Sequence, residues 1–310
     1  MNQSPNVRLG VGLALGTALI SGLAVYLNAY GVRAVPDAAV YTTAKNAVAA
    51  FVLLAGALLL PGRLRMPSGR GPAVGLLAIA VIGGSVPFVL FFSGLAIATA
   101  PTAAFIHKTL FVWVALLAVP LLNERLGLLP IAALAVLLGG QALIAPPTGV
   151  GFGPGELMIA AATALWSVEV ILAKRLLAEV PVRTLAVARM GLGVVLLFGY
   201  LAVSGRLPAL VTVGAEGWLW VAVTGVLLAG YVATWYAALR QAPASVVTSV
   251  LVVGAVVTGV LSALSRGQAP DPAVLGGYLL VVAAAAVLVL SAAGRLPAAA
   301  GLRSARSSAS

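Results

Sequence analysis

Ten apolar segments, each near the roughly 20 residues that a helix needs to cross a bilayer, occupy most of this 310-residue chain. Proline, glycine or charged residues bound most of them. The segments are 9–31, 37–60, 72–98, 102–122, 128–145, 156–177, 182–204, 217–239, 244–264 and 272–293. A backbone in lipid must satisfy its own hydrogen bonds, and the segments lack strand-like alternation. We therefore expect an all-α integral membrane protein with ten transmembrane helices.

The low charge content excludes a soluble domain of this size. Only 8% of the residues are charged and 62% are hydrophobic, whereas soluble domains carry about 25% charged residues. The net charge of +11 comes without a basic block or face that would bind phosphates, so we expect no nucleic-acid partner. The expected surroundings are the lipid bilayer of the cell (inner or plasma) membrane.

The basic residues outside the spans indicate the orientation. With the N-terminus inside, twelve of them are cytoplasmic and three are outside. The cytoplasmic set is Arg8, Arg63, Arg65, Arg70, Arg125, Lys174, Arg175, Arg183, Arg240, Arg295, Arg303 and Arg306, and the outer set is Arg33, Arg206 and Arg266. We expect a cytoplasmic N-terminus at residues 1–8 and a disordered cytoplasmic tail at residues 294–310.

The two halves of the chain carry the same landmarks in the same order. Residues 17–21 (Thr-Ala-Leu-Ile-Ser) are matched by residues 163–167 (Thr-Ala-Leu-Trp-Ser), and Lys45 is matched by Arg189. Each half has an odd number of spans, so the second copy enters the membrane from the other side. The pattern predicts two inverted five-helix repeats, as in many transporters.

This division places the first repeat at residues 9–145 and the second at residues 156–293, with an outer linker at residues 146–155. No loop is long enough to form a separate domain. The sequence leaves open whether the protein is a monomer or a homodimer.

The turns beside the fourth helix of each half carry a family resemblance. An Ala-Pro pair precedes that helix at residues 100–101 and again at residues 242–243, and Glu124 lies in the turn that follows the first copy. In these features the chain resembles EamA-type members of the drug/metabolite transporter superfamily. The second half departs from the family pattern, because Gln268 stands where the acid is expected. The resemblance implies ten helices in two inverted repeats and transport of amino acids, other metabolites or drugs.

Charges inside the spans are costly and usually face a cavity, so each is a candidate for the substrate site. Lys45 and Arg189 lie at mirrored depths of about 10 to 12 Å from opposite mouths. Tyr41, one turn before Lys45, would give it a polar neighbour. The alternative for Lys45 is that its long side chain reaches the lipid headgroups. The alternative for Arg189 is a structural ion pair with Glu169.

His107 and Lys108 lie early in the fourth span. Beside a cavity, Lys108 would attract a carboxylate or phosphate, and His107 would form a hydrogen bond or titrate near neutral pH. The alternative for His107 is packing between helices. With one histidine and no cysteine, the sequence predicts neither a metal site nor a cofactor.

The candidate cavity also includes an acid and several aromatic residues. Glu169 is the one acid well inside a predicted span, and it shares a helix face with Trp166. Such a carboxylate is a candidate for proton coupling, which competes with the ion pair. Tyr231 and Trp235, one turn apart, would line an apolar cavity with Trp113 and Trp166, unless they serve only in packing.

Two features concern the motion and packing of the helices. Pro87 should kink the third span, so Pro87, Glu169 and Arg189 are candidates for a hinge or gate. Gly12 and Gly16 form a small-xxx-small pair, and Gly191 and Gly193 offer a second site of close helix approach.

These features predict a secondary transporter, working as an exporter, for amino acids or related zwitterionic or anionic metabolites. Alternatives are a drug, multidrug or other metabolite carrier of the same fold, or a channel. An intramembrane lipid-modifying enzyme would need paired acids, a metal cluster or a nucleophile with a base, and the sequence lacks these. We therefore expect no enzyme activity.

Overall fold

The protein is a bundle of ten helical spans, seen in a computed structural model that describes residues 6–60, 64–65, 69–147 and 153–294. Seven spans are continuous: α1 Val7–Ala34, α2 Ala38–Leu59, α5 Leu128–Ile144, α6 Pro154–Leu176, α7 Val182–Val203, α8 Ala215–Gln241 and α10 Pro272–Ala292. Three are interrupted: α3 (Arg70–Ile82 and Val86–Leu95), α4 (Ala100–Lys108 and Leu110–Leu122) and α9 (Ala244–Leu251 and Val253–Arg266). A 3-10 turn, Leu207–Leu210, precedes α8.

The prediction of ten membrane helices is confirmed. Among the described residues, nine helical spans are long and apolar enough to cross a membrane, and α5 is a shorter apolar helix of 17 residues. α6 begins at Pro154, inside the predicted linker, because proline is well suited to the first helical turn. The predicted tail after Gly294 and most of the predicted N-terminus lie outside the described residues.

Side-chain caps fix the starts of the first two helices. Asn6 accepts a hydrogen bond from the backbone nitrogen of Leu9 at 3.1 Å. Asp37 accepts hydrogen bonds from the backbone nitrogens of Ala39 and Val40 at 2.9 and 3.2 Å. These acceptors satisfy N–H groups that have no partner within a helix.

The short connections make successive helices antiparallel, so the two repeats are inverted. We call the end of the bundle where α1 begins and α10 ends the terminal end, and the other end the opposite end. The first repeat, α1–α5, therefore begins at the terminal end, and the second repeat, α6–α10, begins at the opposite end.

The helix contacts follow the inverted symmetry. α1 packs along α8, and its counterpart α6 packs along the second half of α3. α2 packs on α8, as α7 packs on the first half of α3, while the pairs α2–α7 and α5–α10 relate each helix to its own counterpart. Each repeat therefore buries its first two helices against the third helix of the other repeat.

Glycine permits close approach between the repeats. A Cβ atom on Gly193 of α7 would lie 2.7 to 2.9 Å from backbone atoms of Gly84 in α3. At the matching crossing, a Cβ on Gly225 of α8 would lie 3.0 Å from the carbonyl oxygen of Lys45. The predicted close approach at Gly193 is therefore present.

The other predicted glycine contacts are wrong. Added Cβ atoms on Gly12, Gly16 and Gly191 would meet no atom within 4 Å. Sequence spacing identified a row of small residues on α1, but that row does not face another described helix of the chain.

We expect Gly193→Ala to destabilise the protein, because the added methyl group would overlap the backbone of Gly84 and overpacking of this kind costs about 1–3 kcal/mol. The measurement is the unfolding midpoint of the purified protein in detergent. Gly12→Ala is the matched control and should leave the midpoint unchanged or raise it. Equal midpoints for the two variants would contradict the assigned crossing.

Candidate functional site

The interruption of α3 organises the middle of the bundle. Pro87 lacks the N–H that would bond the carbonyl of Gly83 in a continuous helix. The indole nitrogen of Trp166 donates to that carbonyl instead, at 3.1 Å. The hydroxyl of Ser85 donates to the carbonyls of Ala80 and Val81 at 3.0 and 3.2 Å. The helix is therefore interrupted as Pro87 predicted, and side chains replace lost backbone hydrogen bonds.

An aromatic cluster surrounds Trp166 where α3, α4 and α6 meet. Its ring centroid lies 5.3 Å from that of Phe88, 5.7 Å from that of Phe91 and 5.1 Å from that of His107. The Nδ1 atom of His107 is buried and has no hydrogen-bond partner within the described residues. The structure thus brings two predicted site residues, Trp166 and His107, into contact.

Glu169, Arg189 and Tyr236 form a buried ionic cluster towards the terminal end. The Nε atom of Arg189 lies 3.7 Å from Oε1 of Glu169, and the Tyr236 hydroxyl donates to the same oxygen. Only 2% of Glu169 and 7% of Arg189 is exposed. A Cβ on Gly83 would overlap the Glu169 side chain, so the cluster lies directly against the α3 interruption. The ion pair considered from the sequence is present.

Lys45 lies in a different environment from its counterpart Arg189. Its Nζ atom donates to Oδ1 of Asn28 at 3.3 Å and lies 5.3 Å from the centre of the Tyr41 ring. The Tyr41 hydroxyl is 2.9 Å from the same Asn28 oxygen and 2.8 Å from the hydroxyl of Thr224. Lys45 is 7% exposed, and no carboxylate pairs with it in the described part of the chain. The side chain therefore lies inside the bundle rather than reaching its surface.

Two polar neighbours of Lys45 on α2 were missed by the sequence reasoning. The hydroxyl oxygen of Thr42 and Oδ1 of Asn46 are buried without a hydrogen-bond partner among the described residues. The Asn46 side chain donates from Nδ2 to the carbonyl of Thr42 at 2.7 Å. The repeat offered a signal, because the positions in α7 that match Thr42 and Asn46 hold the apolar residues Ala186 and Met190.

The remaining predicted site residues do not all join these groups. The prediction that Trp113 lines the cavity is wrong: the residue is 50% exposed and lies on the same face of α4 as the exposed Leu116. Tyr231 and Trp235 stack on each other at 6.0 Å and pack in the largest hydrophobic cluster. Lys108 is partly buried, and its ammonium has no ion-pair or hydrogen-bond partner in the described segments.

Two inverted copies of an apolar helix bundle, with charges buried between them, form the architecture of a membrane transporter. A family model described as the EamA-like transporter family matches the chain twice, at residues 8–145 and 153–290. The chain belongs to this family, which confirms the resemblance, and it is a multi-pass membrane transporter of small solutes.

The search of solved structures found 29 similar chains. One of them, a protein crystal structure, aligns with a TM-score of 0.74 and 22% identity, over 91% of this chain and 98% of its own. At this identity the similarity shows the fold alone. No curated protein matches the sequence.

We expect Glu169→Gln to lower the free energy of unfolding by about 3–5 kcal/mol, because it leaves the buried Arg189 without a counter-charge. The double variant Glu169→Gln/Arg189→Gln should be more stable than the sum of the two single losses predicts, because neither charge is left alone. Denaturation of the purified protein in detergent measures the free energy of unfolding of the two single variants and of the double variant.

The exposed ion pair Asp37–Arg206, 3.6 Å apart with side chains 33% and 44% exposed, is the matched control. Single and double substitutions of Asp37 and Arg206 should give a coupling free energy of about 0–1 kcal/mol. Strictly additive losses at Glu169 and Arg189 would show that the two side chains are not energetically paired.

Proposed function

We propose that the protein is a secondary transporter that exports small zwitterionic or anionic metabolites, with amino acids as the foremost class. The observation that carries the proposal is Lys45, a buried ammonium with no carboxylate partner among the described residues. A buried charge is costly unless it is paired. The carboxylate of a substrate would supply the missing partner.

Arg189, the counterpart of Lys45 in the second repeat, supports this assignment because its surroundings are different. Arg189 has Glu169 and Tyr236 beside it, so a second anion there would be repelled by the first. Lys45 has only the neutral side chains of Asn28 and Tyr41. Of the two matched cations, only Lys45 therefore lacks a carboxylate partner among the described residues.

Two buried oxygen atoms on α2 that lack hydrogen-bond partners in the described structure favour a zwitterionic substrate over a simple anion. Successive residues of a helix are about 100° apart, so Lys45, Thr42 and Asn46 share one side of α2, with Thr42 between the other two. An amino acid that placed its carboxylate at Lys45 would bring its ammonium group near the Thr42 hydroxyl and the Asn46 carbonyl oxygen. Both oxygens are acceptors without donors in the described structure.

Transport by this fold would alternate access between the two ends as the repeats rock around the central site. We propose the α3 interruption at Pro87 as the hinge, and Glu169 with Arg189 as gate residues. Glu169 is also our candidate for proton coupling. The proposed location is the cell membrane, with both termini in the cytoplasm.

We expect the purified protein to be thermally stabilised by its substrate, since a ligand that binds only the folded state raises its stability. The probes are amino acids, each paired with the carboxylic acid that lacks its amino group. Lys45→Gln should weaken binding by about tenfold or more, because it removes a charge-assisted contact.

Arg8→Gln is the matched control, because Arg8 is an exposed cation at the start of α1 that forms no ion pair with the described residues. It should bind as the unchanged protein does. An undiminished thermal shift in Lys45→Gln would remove Lys45 from the substrate site.

A carrier should show counterflow in proteoliposomes: unlabelled substrate loaded inside should accelerate uptake of labelled substrate from outside. Preloaded cells that express the protein should also lose substrate faster than cells without it, as the proposed export requires. A flux that rises linearly with concentration and shows no counterflow would indicate a channel.

A further inference from the structure

We infer that Glu124 is a gating residue, which together with Lys174 holds the turn between α8 and α9 and closes the transport pathway at the terminal end. The inference rests on the alternating access proposed above. It assigns the closing contact at the terminal end to particular side chains, which differ from the gate candidates Glu169 and Arg189 named from the sequence.

Glu124 follows α4 in the first repeat, and its carboxylate binds the start of α9 in the second repeat. One carboxylate oxygen accepts from the backbone nitrogen of Ala244 at 2.5 Å. The other accepts from the backbone nitrogen and the hydroxyl of Ser245 at 3.2 and 2.5 Å. A negative charge is most favourable at a helix N-terminus, so this contact ties the repeats together firmly.

Two basic residues at the end of α6 complete the closure. The ammonium of Lys174 donates to the carbonyl of Ala242 at 2.8 Å and to that of Leu239, both at the end of α8. It also attracts the carboxylate of Glu124. Arg175 donates to the carbonyl of Leu121 at 2.6 Å and so ties α6 to the end of α4.

The opposite end offers an internal comparison, because the fourth helix of each repeat ends at one residue in the left-handed conformation. Asn123 ends α4 in the left-handed conformation, with φ of 56°, and Gly267 ends α9 with φ of 64°. The next residue in each case, Glu124 or Gln268, donates its backbone N–H to the last turn of the helix at 3.2 Å. Glu124 and Gln268 therefore occupy corresponding places in the two repeats, each directly after the left-handed residue.

The side chain of Gln268 forms no hydrogen bond with any residue that the structure describes, although an amide oxygen can also cap a helix. Asn28 stands where the repeat places Lys174, and it binds Tyr41 and Lys45 instead. Within the described segments, the opposite end therefore lacks the counterparts of the Glu124 and Lys174 contacts.

A groove of about 400 Å³ opens between α1 and α9 at the opposite end, lined by Tyr26, Tyr30, Arg33, Ser262 and Arg266 among others. The symmetry-related junction, between α6 and α4 at the terminal end, is bridged by the bond from Arg175 to Leu121. Among the described residues, side-chain bonds thus tie the terminal end, whereas a groove lies between α1 and α9 at the opposite end. Opening the terminal end requires that Glu124 release α9.

Cysteine labelling tests the gate directly, because the chain contains no cysteine. Ala173→Cys replaces a residue of α6 that is 0% exposed and lies in the same hydrophobic cluster as Ala118 of α4. In proteoliposomes, adding Glu124→Gln should raise the rate of maleimide labelling at position 173 by about tenfold, because a charge-assisted bond is lost from the closed state. Glu179→Gln, an exposed acid at the same end, should not change the rate.

The opposite end supplies the reciprocal experiment. Ser262→Cys places a thiol in the groove, and adding Gln268→Glu should slow its labelling, because the new carboxylate would cap the start of α4 when that end closes. If Glu124→Gln does not fold, Ser245→Ala removes one of the three Glu124 bonds and should raise labelling at position 173 to a smaller extent.

If neither Glu124→Gln nor Ser245→Ala changes the rate of labelling at position 173, the proposal that Glu124 is a gating residue is wrong. The labelling requires no substrate, so it tests the gate even if no amino acid binds. Conversely, a thermal shift that survives Lys45→Gln would contradict the proposed substrate site while leaving the labelling result intact.

Discussion

The need to satisfy every backbone hydrogen bond within the bilayer is the constraint on which the structure depends. It permits an interruption of a helix only where other groups replace the lost bonds. In α3 the replacements are the Ser85 hydroxyl and the Trp166 indole, and the second of these belongs to the other repeat. The interruption, the aromatic cluster and the Glu169–Arg189 pair are therefore one assembly in which each part positions the next.

The two repeats share a backbone plan and differ in chemistry at matching positions. Arg189 is neutralised by Glu169, whereas Lys45 lies among neutral groups. Glu124 and Gln268 differ in the same way: each follows a left-handed residue at the end of a helix, but one carries a carboxylate and the other a neutral amide. An inverted repeat with identical halves would present the same side chains towards both ends of the bundle, whereas these two repeats present different ones.

Much of the fold followed from the sequence, because long apolar segments in lipid have few alternatives to helices. Lys45, Arg189, Glu169 and Pro87 were recognised because charge and proline are rare in such segments. The errors concern rotation of a helix about its axis: Trp113 and Gly12 have the expected spacing but face away from neighbouring helices. Thr42 and Asn46 were missed because hydroxyl and amide groups are common in helices, and only burial without a partner distinguishes them.

The crossing of Gly84 and Gly193 has a consequence for the evolution of the family. A larger residue in a core is often tolerated when its neighbour becomes smaller. Here the neighbour of each glycine is backbone, which cannot shrink, and the facing residue is already glycine. A substitution at either position therefore has no compensating partner, so these two positions should vary less than the charged residues they bring together.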